Sequence, residues 1–154
     1  HTNDRRQRQM CIRDRYLIGS YGIRSDKEAL LFIADHFQLI PKIAKLVDEK
    51  FYHLDTCFQQ LPTKNNDAIF YPPAFEDQSL SEFSDLFNLI PIHEDDANQL
   101  ACNAVVINES VIFPSENIEI IETVAQLGCN IEISNVSEFM KSGGACQCLV
   151  ITLQ

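Results

Sequence analysis

The sequence predicts an α/β fold built from repeated units of strands and a helix set around an axis. Three observations carry this expectation. Short apolar runs alternate with segments whose apolar residues recur at helical spacing. The same order, strand–helix–strand–strand, returns three times, from near residues 16, 67 and 110. A period of about 45 residues marks an array or a propeller-like ring. A length of 154 residues with 45% apolar composition suits one domain with a real core.

The first unit opens with Tyr16–Ser20 as a short strand. Gly22 to Ser25 reads as a turn, and Ser25 or Asp26 can cap the helix after it. That helix places Ala29, Leu30, Ile33, Ala34 and Phe37 on one face. Leu39 to Val47 reads as a strand that Pro41 confines to an edge. Phe51 to Leu61 is a further strand, ended by Pro62 and the polar turn Thr63–Asp67.

In the second unit Ala68–Tyr71 is a strand stopped by Pro72 and Pro73. Phe75, Leu80, Phe83, Leu86 and Phe87 outline an amphipathic helix, and Leu89–Ile92 and Ala101–Ile107 are strands. In the third unit Val111–Phe113 is a strand, and Pro114 with Ser115 opens a helix through Leu127 that Gly128 closes. Cys129–Ile133 is a strand, Ser137–Met140 a helical turn, and Cys146–Leu153 the last strand.

The net charge of −10 is unevenly spread. Residues 1–15 carry five arginines against Asp4 and Asp14, or +3, and the other 139 residues carry −13. A body that acidic repels nucleic acid and anionic membrane, and neither is expected as a partner. The composition breaks at Tyr16, and Met10–Arg15 resembles translated sequencing-adapter sequence. Residues 1–15 are therefore read as a non-native or disordered arginine-rich head, and 16–154 as the folded domain. The longest apolar runs are too short to span a bilayer, and no charged-then-apolar secretory leader is visible. Six cysteines without a Cys-x-x-Cys pair, most of them in apolar strand patterns, argue for a reduced, cytoplasmic setting. Glu94, Asp95 and Asp96 read as a solvated approach to a helix, and no metal site is expected.

The chemistry concentrates in two stretches. Ser142–Gly143–Gly144–Ala145 is a glycine hinge opening onto Cys146 and Cys148. On a strand those two thiols face opposite sides. The second stretch is Phe51–Phe58, which contains His53 and Asp55. In the three units the last strand begins near His53, Asn103 and Cys148, and a ring of repeats brings equivalent positions together at its centre. A thiol beside an imidazole is the usual way to obtain a sulfur nucleophile at neutral pH. Asp55, two residues beyond His53, shares its face on a strand and can hold a cation. A guanidinium, planar and rich in N–H donors, matches such a carboxylate. Asn103, Gly143 and Gly144 are candidate pocket residues.

His53–Leu54–Asp55–Thr56, with Gly143–Gly144–Ala145–Cys146–Gln147–Cys148–Leu149, resembles the guanidine-modifying, or pentein, superfamily. Tyr71–Phe75 and Ala101–Asn108 look most like bacterial dimethylargininase and arginine dihydrolase-type members, and the resemblance runs from Tyr16 to the C-terminus. It implies a five-bladed α/β-propeller of ββαβ units, of which this chain holds about three. It places the nucleophile on Cys148, the general acid/base on His53, the guanidinium-binding carboxylate on Asp55 and the grip on the substrate α-carboxylate on Arg24. The implied reaction hydrolyses the guanidino group of arginine or an N-methylated arginine through a cysteine-linked thiouronium. The products are citrulline or ornithine with ammonia or an amine, and no metal or organic cofactor takes part.

Two other readings share the resemblance. An amidinotransferase forms the same intermediate and hands it to an amine. A non-catalytic pentein binding protein uses the fold alone, but such proteins lack the Cys/His pair. The family's further guanidinium-binding acidic residues would fall before Tyr16. The chain is therefore read as the C-terminal part of an enzyme, with little or no turnover on its own. Open strand edges favour a homo-oligomer.

Overall fold

The computed structural model describes residues 11–13 and 15–151. The rest of the arginine-rich head lies outside the described residues. Four of its residues are described: Arg15 lies in a turn, and Cys11–Arg13 forms β1, antiparallel to β2 (Tyr16–Tyr21), with Arg13 opposite Tyr16. After α1 (Lys27–His36) the chain returns as β3 (Ile40–Lys45), parallel to β2. The same plan follows twice. The second sheet has β4 (Phe58–Gln60) antiparallel to β5 (Asp67–Phe70), then the short helix α2 (Ser81–Ser84), then β6 (Asn88–Pro91) parallel to β5. After α3 (Glu94–Asn98) comes the third, with β7 (Val105–Ile107) antiparallel to β8 (Ser110–Phe113), then α4 (Ile120–Gln126) and β9 (Asn130–Ile133) parallel to β8. Two single turns end the described chain, α5 (Ser137–Met140) and α6 (Cys146–Leu149).

Each sheet is therefore a ββαβ unit with its second strand in the centre. The central strands β2 and β5 are covered on both faces, whereas β8 alternates buried and half-buried residues. All four residues of β5 are buried. β3 is an edge strand, as Pro41 requires.

The chain divides into two compact units. The first comprises the residues up to Leu54 together with Pro73–Asp85. Here Asp26 caps α1, accepting from the N–H groups of Glu28 and Ala29 at 2.7 and 3.1 Å. Leu30 and Ala34 on that helix pack on Leu17. Residues 73–85 lie along the end of β3, where the Val47 N–H donates to the Ala74 carbonyl and the Glu76 N–H to the Lys45 carbonyl, both at 2.9 Å. Phe83 is fully buried and meets Phe75 edge to face.

The second unit comprises Asp55–Pro72 and Leu86–Val150. Leu61, Ile69, Val111, Phe113 and Val124 are its largest fully buried apolar side chains, and Phe58 packs edge to face on Phe87. Among the described residues no helix is long and apolar enough to cross a membrane.

Several expected elements differ. The predicted strand Phe51–Leu61 begins as a 3₁₀ turn, Leu54–Thr56, and only β4 remains of it. The predicted strand Ala101–Ile107 likewise begins with a 3₁₀ turn, Ala101–Asn103, entered through Leu100 in the left-handed conformation. The predicted final strand, Cys146–Leu153, opens instead as α6, and its last two residues lie outside the described ones. In each case hydrogen bonds bend the backbone where the apolar pattern suggested extension.

The helix expected over residues 75–87 is broken into short turns, with only α2 regular. The helix expected from Pro114 begins at Ile120, because its cap comes from a distant residue. Asp96 is not a solvated charge. It is 1% exposed and accepts from the Glu119 and Ile120 N–H groups, holding the head of α4.

Candidate active site

Asp55, Asn103 and Cys148 each sit on a single helical turn and not on a strand. In the second unit three such turns meet at one side chain. Asn103 ends the Ala101–Asn103 turn and is completely buried. Its Nδ2 donates to the Asp55 carbonyl at 3.0 Å. Its Oδ1 accepts from the Ala145 N–H at 2.8 Å and the Cys148 N–H at 3.3 Å. One acceptor that gathers the N–H groups of positions i and i+3 draws the backbone into a helical turn, as a capping residue does. This is the physical reason that Cys146–Leu149 is helical.

Cys148 thus lies on a turn, and the expectation that Cys146 and Cys148 face opposite sides of a strand is corrected. The Cys148 Sγ lies 3.9 Å from Asp55 Oδ2, within reach of a thiol–carboxylate hydrogen bond. Asp55 is buried in the Leu54–Thr56 turn, so it does not share a strand face with His53. Cys148 is partly exposed, whereas Cys146 is buried. Burial pushes the Cys146 thiol up from its ordinary value, against a smaller opposing backbone hydrogen bond. The two thiols are therefore chemically unlike despite their spacing.

The hinge glycines act differently from each other. Gly143 takes φ +85 three residues beyond the end of α5, and its N–H donates to the Met140 carbonyl, closing that turn. Gly144 lies against the thiol. A Cβ built on it would stand 2.9 Å from the Cys148 Cβ and 3.1 Å from Sγ.

The first unit holds Arg24 and His53. Gly22, at φ +115, turns the chain out of β2 toward Arg24. The guanidinium lies over the Tyr52 ring, 4.8 Å from its centroid, and Tyr52 meets the His53 imidazole edge to face at 4.8 Å. Burial lowers the His53 pKa below the ordinary value, and the positive charge of Arg24 lowers it further. At neutral pH the imidazole is thereby held neutral, the form a base requires. Tyr52 was missed in the sequence reading. Its only signal is an aromatic residue directly before the histidine.

The chain is 34% identical over 140 residues to the bifunctional arginine dihydrolase/ornithine cyclodeaminase ArgZ of Synechocystis, covering 89% of this chain and 20% of that protein. It is 30% identical over 154 residues to the dimethylarginine dimethylaminohydrolase of Mycobacterium tuberculosis, covering 99% of this chain and 50% of that protein. The crystal structure of the N-terminal domain of ArgZ bound to product superposes with a TM-score of 0.80 at 35% identity, over 88% of this chain and 50% of that one. The chain is a homologue of these proteins and shares their pentein fold.

No protein-family model matches it. This pentein chain spans about half the length of the dimethylargininase and about a fifth of the bifunctional enzyme. The α/β fold of ββαβ units that the resemblance implied is the observed one.

Proposed function

We propose that the protein to which this chain belongs hydrolyses the guanidino group of arginine or an N-methylated arginine. The observation that carries the reading is the Cys148 thiol 3.9 Å from the buried Asp55 carboxylate. A cation-binding carboxylate and a sulfur nucleophile at that separation suit a planar cationic carbon electrophile. The relatives support the substrate class, since their names specify arginine dihydrolase and dimethylarginine dimethylaminohydrolase.

In this reading Asp55 seats the guanidinium and Arg24 binds the substrate's α-carboxylate. The bound cation lies beside the sulfur and favours the thiolate as the attacking form. The Cys148 thiol passes its proton to the neutral His53 imidazole, and the sulfur adds to the guanidinium carbon. The tetrahedral adduct expels ammonia or an alkylamine, which takes its proton from His53, and leaves an S-alkylthiouronium. Water, giving its proton to His53, then adds to that carbon and the C–S bond breaks. The products are the free thiol and a ureido compound such as citrulline. Release of a second nitrogen as ammonia by the same steps leaves a carbamate, which loses carbon dioxide to give ornithine. These steps run on side chains alone.

The test is alkylation by a haloacetamidine, which carries the guanidinium-like cation, followed by mass spectrometric mapping. Selective labelling of Cys148, slowed by arginine and lost in His53→Ala, is expected. Equal labelling of all accessible cysteines, with no protection by arginine, overturns the reading.

A further inference from the structure

We propose that Asn103 and Gly144 form a positioning pair for the Cys148 thiol, Asn103 fixing the backbone that carries it and Gly144 leaving the space it occupies. The chemistry assigned to that thiol rests on the proposed function; the positioning does not.

The hydrogen bonds of Asn103 are not those of a generic buried amide. It is 0% exposed, and its three side-chain bonds go to residues 48, 42 and 45 positions away. Two of them hold the turn that contains Cys148. The third holds the carbonyl of Asp55, the residue whose carboxylate lies against the sulfur. A single side chain therefore sets the separation of two functional groups drawn from distant parts of the sequence. Buried polar groups satisfied in this way are expensive to break, because each orphaned N–H or C=O loses its water without a replacement.

Gly144 supplies the complementary feature. Its φ lies outside the left-handed region, so backbone conformation does not demand glycine there. Space does. The atom that a Cβ at Gly144 would press is the Cys148 Cβ at 2.9 Å, the root of its side chain rather than its mobile end. Any larger residue must push the thiol off the line that Asn103 holds. A displacement of about 1 Å at a reacting group can cost on the order of a hundredfold in rate.

The experiment measures the alkylation rate of Cys148 against pH, using a haloacetamidine and a neutral haloacetamide in parallel. Gly144→Ala is expected to slow both reagents by about ten- to a hundredfold at Cys148. Asn103→Asp keeps the acceptor, loses the donor to the Asp55 carbonyl and places a negative charge beside the Cys148 amide. It is expected to move the pH profile of labelling upward. Folding is checked by far-ultraviolet circular dichroism.

Folded variants that label Cys148 at the unmodified rate and pH profile overturn the proposal. Hydrogen exchange on the unmodified protein decides it if neither variant folds. The Ala145 and Cys148 amides are expected to be protected, and rapid exchange at both refutes the clamp. A haloacetamidine no faster than the neutral reagent, with no protection by arginine, refutes the guanidine reading. It leaves the positioning pair to stand or fall on the neutral reagent.

Discussion

The Asp96 carboxylate on α3 accepts the Glu119 backbone N–H at 2.6 Å, supplying the cap that α4 does not obtain from the Glu119 side chain at its own N-terminus. Its other oxygen accepts from Ile120 at 3.0 Å. Asp96→Ala leaves two N–H groups without their acceptor and should destabilise the protein by about 3 kcal/mol. Asp96→Asn keeps one acceptor and should lose less. Urea unfolding midpoints check this, and an unchanged midpoint in Asp96→Ala would show that the cap is dispensable.

Gly22→Ala should be damaging for two reasons. At φ +115 an L side chain is strained, and a Cβ would stand 2.6 Å from the Leu46 carbonyl oxygen, a main-chain atom that cannot swing aside. The expected loss is about 3 kcal/mol or more. The same change displaces Arg24, two residues on. Wild-type thermal stability in the variant counts against this account.

His53 should titrate below the ordinary histidine value of 6.5, with burial the larger cause and Arg24 the smaller. Arg24→Gln should raise the midpoint part of the way, as followed by imidazole NMR shifts. The folded protein takes up this proton at lower pH than the unfolded chain does. The residue's contribution to stability is thus complete above about pH 6.5 and is lost as pH falls from there through the folded value. His53→Gln should flatten that part of the stability profile. A midpoint at or above 6.5 contradicts the described environment.

Native-state alkylation by a neutral reagent should reach Cys148 before Cys57, Cys102, Cys129 or Cys146, all of which are buried. Burial, followed in size by the Asp96 charge, pushes the Cys102 thiol far above its ordinary value. Burial and the nearby Asp67 charge raise that of Cys129. The four should become reactive together on unfolding. Early labelling of Cys102 would show that the second unit opens locally.

The repeat was legible, as strand–helix–strand–strand, because the central strands are rich in apolar residues and crossovers begin or end at visible signals such as Asp26 and Gly128. The residues Cys148, His53, Asp55 and Arg24 stand out by chemical type and by the motifs around them. Their backbone setting was not legible. Cys146–Leu149 has the composition of a strand, and nothing near it in sequence shows that a carboxamide 45 residues earlier will gather its amides. Asp96 was hidden in the same way, since its partners lie more than twenty residues on. Local pattern reports burial well. It does not report which distant polar atom will satisfy a given N–H.

The mixed strand pairing implies an order of assembly. β7 and β8 close across only two residues, Asn108 and Glu109, the first in a left-handed conformation that suits a tight reversal. β9 reaches β8 only after the crossover through α4. Short-range closure forms early and long-range parallel pairing waits for its connection. In pulse-labelled refolding, the amides of the β7–β8 hairpin should become protected before those paired through β9. The turn carrying Cys148 should come later still, since it needs both Asn103 and its own distant segment in place. Such a thiol would acquire its distinctive reactivity only as the last contacts form, making its alkylation rate a clock for the completion of folding.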